Sequence, residues 1–235
     1  MLPLFFAENL DGNVVTVSGD EAHHAVTVTR IKAGEELNLA DGNGNWVRGV
    51  VLATSKKSFD LQVSKRGSDT QTKPILTVLQ ALTKSDRVKE TIELLVEGGV
   101  DEIIPWSAQR SISKWQSDSL AKWSDHILAA CKQSRRFRKP TIAEAISADQ
   151  LIIAPKTLLL VFHESASQKL SAAIPAGDYE EVIIVVGPEG GITEAELEIF
   201  AEKGAITVAM GTPVFRSAHA GVAALAAVQA LLGKW

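Results

Sequence analysis

The chain is predicted to be an α/β protein with a mainly parallel sheet, preceded by a small all-β unit. Three observations carry this reading: apolar residues recur at every second position up to residue 67, strand-like and helix-like runs alternate from Ile75 onward, and a polar, proline-containing stretch separates the two regimes. With 235 residues, the chain has room for one large domain or two smaller ones.

In the first part, Val15 and Val17, Leu37 and Leu39, then Phe59, Leu61 and Val63 keep the two-residue period. Turn clusters stand at Asp11-Gly12-Asn13 and Asp41-Gly42-Asn43-Gly44-Asn45. Short strands at this spacing predict a small barrel or sandwich over residues 1–70. Gly42-Asn43-Gly44 superficially opens a dinucleotide fingerprint, but a strand follows it, so it is a hairpin turn. Arg66–Pro74 is polar and reads as a linker, which places a domain boundary before residue 75.

In the second part, residues 75–235, strands are expected at Ile75–Leu82, Glu102–Ile104, Thr157–Phe162, Val182–Val186 and Ile206–Ala209. Helical spacing of three and four links Val88, Ile92, Leu95 and Val96, then Leu120, Trp123, Ile127 and Leu128, then Leu197, Phe200 and Ala201. The last helix, near Ala218–Leu232, is apolar on most faces and is expected to be buried against the sheet or in a subunit interface.

Composition narrows the class. Hydrophobic residues make up 46% and charged residues 22%, as in an ordinary globular protein, and the formal charge is −4. A polyanion partner must therefore be met by a local patch and not by the net field. The single cysteine, Cys131, excludes an internal disulfide and a cysteine-based zinc site. Met1–Glu8 has no basic start, and the longest apolar stretch, Ala220–Val228, is far below the roughly 20 residues of a membrane span, so a cytoplasmic protein is expected.

Three strand ends carry candidate chemistry. Val182–Val186 runs into Gly187-Pro188-Glu189-Gly190-Gly191 and then a helix start marked by Thr193 and Glu196 at capping-box spacing. Glycines there let backbone approach a ligand closely, although a bare tight turn reads equally well. No Lys-Ser/Thr follows, which excludes a Walker A loop, and Glu189 suits a positively charged adenosine better than a phosphate. A second strand ends at Phe162-His163-Glu164, either a hydrogen-bonded pair or a catalytic one. A third leads through Met210, Gly211, Val214 and Phe215 to Arg216 at the mouth of the last helix, placed for a phosphate, an oxyanion or a structural salt bridge.

Lys132, Arg135, Arg136, Arg138 and Lys139 give residues 130–140 a charge of +5 with no acid, while the rest of the chain nets −9. Either this is a solvated helix end, or it contacts RNA with Phe137 as a stacking surface; the charge density favours RNA. Lys84-Ser85-Asp86-Arg87 would extend the patch.

Taken together, Gly187–Gly191, Arg216 before an alanine-rich helix, Glu21-Ala-His-His24, Lys84–Arg87, Val100–Pro105 with Arg110-Ser111, and Gln133–Arg136 resemble the ribosomal RNA small subunit methyltransferase E family across essentially the whole chain. The resemblance implies a PUA-like β-barrel joined to a SPOUT-class α/β domain with a trefoil knot. It implies a homodimer that uses S-adenosyl-L-methionine, without a metal, to methylate N3 of a uridine near the decoding region of 16S rRNA in the 30S subunit. By position, Phe162, His163, Glu164, Gly187, Pro188, Glu189, Gly190, Gly191, Met210, Gly211, Val214 and Phe215 would bind the cofactor, and Arg216 would be the active-site arginine. Arg30, Lys84, Arg87, Arg110, Lys132, Gln133, Arg135, Arg136 and Arg138 would meet RNA. Many family members continue after the arginine with Thr-Glu-Thr, whereas Ser217-Ala218-His219 stands here. That carboxylate is missing, which leaves His219, His163 or water as the proton acceptor. The rival readings are a non-catalytic RNA-binding assembly protein and a methyltransferase of the same fold acting on another RNA, such as transfer RNA.

Overall fold

The structure is a computed structural model that describes residues 2–175 and 177–235. Its elements in chain order are β1 Leu4–Phe6, β2 Val14–Ser18, α1 Gly19–His23, β3 Glu36–Ala40, β4 Asn45–Thr54, β5 Ser58–Ser68, β6 Ile75–Ala81, α2 Val88–Glu97, β7 Glu102–Trp106, α3 Ser119–Ser134, β8 Thr141–Ile142, β9 Thr157–Phe162, α4 Leu170–Ala173, β10 Glu181–Val186, α5 Glu194–Glu202, β11 Ile206–Val208 and α6 Ser217–Leu231. They form two compact units: Met1–Gln71 with Cys131–Lys139, and Thr72–Ala130 with Pro140–Trp235.

The first unit is a curled five-stranded sheet in the order β1-β3-β4-β5-β2, with β1 parallel to β3 and the other pairs antiparallel. The two-residue period does what it predicts: Val15, Val17, Leu37, Leu39, Phe59 and Leu61 point into one core with Phe5 and Val51, while Val14 and Thr16 face out. The Asp41 turn closes the β3–β4 hairpin, its carboxylate accepting from the backbone of Asn43 at 2.7 Å and of Asn45 at 3.1 Å. β4 and β5 slip register at Arg48/Gly49, where a Cβ on Gly49 would stand 2.1 Å from the Gln62 carbonyl oxygen.

Two differences from the sequence reading belong to this unit. Residues 19–28 form a helical segment, α1 followed by a wider turn through Val28, which the strand-only reading did not anticipate. It is held by Glu21, whose side chain accepts from the Phe6 backbone at 2.9 Å and pairs with Lys132 at 2.6 Å, a tertiary contact invisible to periodicity. β5 also continues through Arg66–Ser68, pairing with Asn45–Val47, so the strand enters the stretch expected to be a linker.

In the second unit six parallel strands lie in the order β11-β9-β10-β6-β7-β8. The inner strands are buried on both faces, which is why β9 and β10 read as unbroken apolar runs. Leu79, Trp106, Leu159, Ile183, Val185 and Phe200 form one core layer, with the Trp106 and Phe200 rings edge to face at 5.2 Å. α6 packs against α2, β6 and β10. β8 and α4, of two and four residues, are too short to carry a legible period. Among the described residues no helix is long and apolar enough to cross a membrane.

Candidate active site at three strand ends

The sheet order places β10 between β9 and β6, and the chain leaves β9, β10 and β11 at the same edge. The carboxyl ends of parallel strands at such a reversal are where ligands bind in α/β sheets. A cavity of about 360 Å³ opens there. Phe162, His163 and Glu164 after β9, Gly187, Pro188, Glu189 and Gly191 after β10, and Met210, Gly211, Val214, Phe215 and Arg216 after β11 all line it, joined by Ile192, Ser217 and Ala220. Of the positions expected to bind cofactor, Gly190 alone is absent from this lining. Arg110 packs over Gly190 and donates to its carbonyl at 3.2 Å.

Local chemistry shapes each wall. A Cβ on Gly187 would stand 2.7 Å from Ile192 Cγ1, so a side chain here would force the turn or Ile192 to shift. Gly191 adopts φ +77, the left-handed region that favours glycine. Thr193 and Glu196 form the expected capping box at the start of α5. The buried Glu196 carboxylate also accepts from the Gln109 backbone at 2.8 Å, which ties the 107–111 loop to the glycine-rich turn. The exposed carboxylates of Glu164 and Glu189 give this rim a negative character, and Arg216 provides the positive counterpart.

The hydrogen bonds of the His163 ring go to Ser165 and not to Glu164. Its Nδ1 accepts from the Ser165 backbone at 3.2 Å and lies 2.8 Å from the Ser165 hydroxyl. Arg216 is exposed at the N-cap of α6 and, among the described residues, forms no ion pair, so the salt-bridge alternative is not what the structure shows.

His219 stands outside the cavity lining. Its Nε2 lies 3.1 Å from Glu90 Oε1, and Glu90 Oε2 accepts from Arg87 at 2.8 Å. Arg87 and His219, assigned to RNA and to catalysis from sequence, thus meet on a carboxylate that the sequence reading missed. The Arg87 hydrogen bond, and after it that of His219, holds the Glu90 carboxyl below the usual carboxylate range. The Arg87-x-x-Glu90 spacing was the sole local hint. Lys84 lies beside a separate polar hollow with Ile112 and Lys114.

In the first unit, the basic stretch is folded onto its own surroundings. Lys132 pairs with Glu21, Arg135 donates to the Lys132 carbonyl, and Arg138 donates to the Asp69 carbonyl at 2.9 Å. Phe137 stacks on Trp46 with ring centroids 5.2 Å apart, so one of its faces is already covered. Gln133 and Arg30 are exposed, and Arg136 donates its backbone N–H to the Cys131 carbonyl at 3.0 Å. Cys131 is buried, and desolvation pushes its thiol up to about 11, which leaves it inert.

Comparison with known proteins adds to this geometry. Residues 71–229 match the model of the RNA methyltransferase domain family, and residues 17–64 match that of the RNA methyltransferase PUA domain. The chain is 36% identical, over 99% of its length and 93% of the relative's, to a ribosomal RNA small subunit methyltransferase E of Mycobacterium bovis. It is 28% identical, over 91% and 88%, to the Bacillus subtilis protein of the same name. Among solved structures, the ribosomal RNA small subunit methyltransferase E of Neisseria gonorrhoeae bound to S-adenosyl methionine superposes with a TM-score of 0.89 at 26% identity, covering 98% of each chain.

Proposed function

Because the chain belongs to the ribosomal RNA small subunit methyltransferase E family, we propose that it methylates ribosomal RNA with S-adenosylmethionine, and that its acceptor is N3 of a uridine in 16S rRNA near the decoding region. Its fold is of the SPOUT class, a knotted α/β domain with a PUA-like barrel. We assign catalysis to residues 75–235 and RNA capture to residues 1–70, helped by Arg30, Lys84, Arg87, Arg110, Lys132, Gln133, Arg135, Arg136 and Arg138.

The observation that carries the reading is the cavity at the ends of β9, β10 and β11, lined on one side by backbone of the glycine-rich turn and on another by Arg216. The residues present fit the cofactor. The volume lies in the range of small-molecule sites, Phe162 and Ile192 offer apolar surface to a nucleoside, and Glu164 and Glu189 favour a cation. When bound, S-adenosylmethionine supplies a methyl group activated by a positively charged sulfur.

Uracil N3 becomes a useful nucleophile only as its proton leaves, and the resulting charge spreads onto the flanking carbonyl oxygens. Arg216, exposed at the cavity mouth, stabilises that charge or clamps the neighbouring phosphate. We assign proton acceptance to His219, one helical turn further along α6 and held at Nε2 by Glu90; since it does not join the cavity lining, the proton reaches it through an intervening water. N3 lies on the Watson–Crick edge, so the uridine reacts unpaired or flipped out.

A second copy of the chain is the partner we assign to the outer face of α6. Phe215 and Leu231 are exposed there beside Ala223, Ala227 and Ala230 along an apolar groove, and a monomer in light scattering would overturn this assignment. The test of function is labelled-methyl transfer to 30S particles and to free small-subunit RNA, followed by mapping. A single reverse-transcription stop at a uridine supports the reading. Cofactor binding without transfer to either substrate would redirect it to another RNA, and no cofactor binding at millimolar concentration would favour a non-catalytic RNA-binding protein.

A further inference from the structure

Gln80 on β6 is fully buried in a strand that is otherwise largely apolar. Its Nε2 donates to the Ala81 carbonyl at 3.1 Å and to the Ser217 hydroxyl at 3.3 Å. The Ser217 hydroxyl in turn donates to the Gly187 carbonyl at 2.8 Å. Among the described residues Gln80 Oε1 has no hydrogen-bond partner, and it is packed against Gly221, where a Cβ would stand 3.0 Å from it. A buried amide oxygen left unpaired is destabilising, and methionine would fill much the same space without that cost. What the amide contributes must therefore lie at its donor end.

We propose that Gln80 is a positioning residue for the active site, holding the glycine-rich turn and the first turn of α6 at a fixed separation through Ser217. The chemistry is directional. The amide nitrogen only donates, so the Ser217 oxygen accepts there, and its single proton is committed to Gly187. Gly187 opens the turn after β10, and Ser217 is the residue after Arg216, so the two ends of this chain are two walls of the cavity. Arg216 has no side-chain hydrogen bond capping α6, which leaves the Ser217–Gly187 link to anchor that helix start to the turn. Local sequence could not reveal the tie, since Gln80 and Ser217 are 137 residues apart.

This role for Gln80 rests on the cavity being the S-adenosylmethionine site, and calorimetric titration of the full-length protein with S-adenosylmethionine separates the two. Gln80→Met keeps the shape and removes the donor; Ser217→Ala removes the middle of the chain. Each is expected to weaken binding by about three- to tenfold, the range of one net hydrogen bond. The double variant is expected to be no worse than the weaker-binding single one, because both interrupt one path. Wild-type binding with unchanged affinity in both variants, or losses that multiply in the double variant, would overturn the positioning role. So would a lowered melting temperature with affinity intact. Should Gln80→Met fail to fold, Ser217→Ala alone still decides, by weakened or unchanged affinity. A wild-type protein that does not bind would overturn the site reading and the positioning role together.

Discussion

His219 Nε2 stands 3.1 Å from Glu90 Oε1, joining the first turn of α6 to α2. Glu90 is held from its other side by Arg87, so cation, carboxylate and imidazole form one line beginning three residues from Arg216. The imidazole of the last helix thus meets a carboxylate supplied by another helix.

Removing either member of that pair tests its role. His219→Ala is expected to lower kcat by 10²-fold or more, the range of general-base assistance, and Glu90→Gln by less, with S-adenosylmethionine affinity kept in both. Steady-state kinetics on 30S particles check this. A comparable loss in His163→Ala with His219→Ala near wild type would move the proton-accepting role to His163.

Acid should loosen the same link late. A carboxyl whose folded-state value is depressed contributes stability that is present above its unfolded value and lost as pH falls through the folded one. Glu90 is depressed by its Arg87 and His219 hydrogen bonds. The melting-temperature gap between wild type and Glu90→Gln is therefore expected to persist from neutral pH to about 4.3, the ordinary glutamate value, and to close below it. Thermal unfolding across that window checks the sign.

At the cavity mouth, Arg216→Ala is expected to reduce methyl transfer by roughly 10²- to 10³-fold, as for loss of a donor to a developing anion. Arg216→Lys should recover only part of it, since an ammonium lacks the planar fork. Activity within a few-fold of wild type in Arg216→Ala would remove the arginine from the chemistry.

Gly187→Ala places a Cβ 2.7 Å from Ile192 Cγ1 in the turn that forms one cavity wall. The turn or Ile192 must shift, and S-adenosylmethionine affinity is expected to fall by about tenfold or more. Calorimetry reads this directly.

Replacing Arg135, Arg136 and Arg138 together with glutamine is expected to weaken RNA binding and to flatten its dependence on salt, by about 0.7–0.9 in log–log slope for each phosphate that is no longer neutralised. S-adenosylmethionine affinity should not change. Because Arg135 and Arg138 also donate to the carbonyls of Lys132 and Asp69, the variant should melt at a lower temperature as well.

Much of this molecule was legible one segment at a time. Alternation at Val15 and Val17 and at Phe59 and Leu61, the apolar runs of β9 and β10, and the Thr193–Glu196 cap each depend on neighbours within a few residues, so sequence spacing alone located the strands other than β1 and β8, together with α5 and the three loops that frame the cavity. Spacing could not choose partners, because a side chain's identity says what it can bond and not what the fold brings to it. Glu90 reaches His219 across 129 residues and Gln80 reaches Ser217 across 137, while Phe137, which looked open to a nucleobase, rests on Trp46. The cavity lining was written in three local motifs; which groups brace it, and which cations of the basic stretch are already engaged, was decided by the tertiary structure, where long-range packing sets distances that no local pattern encodes.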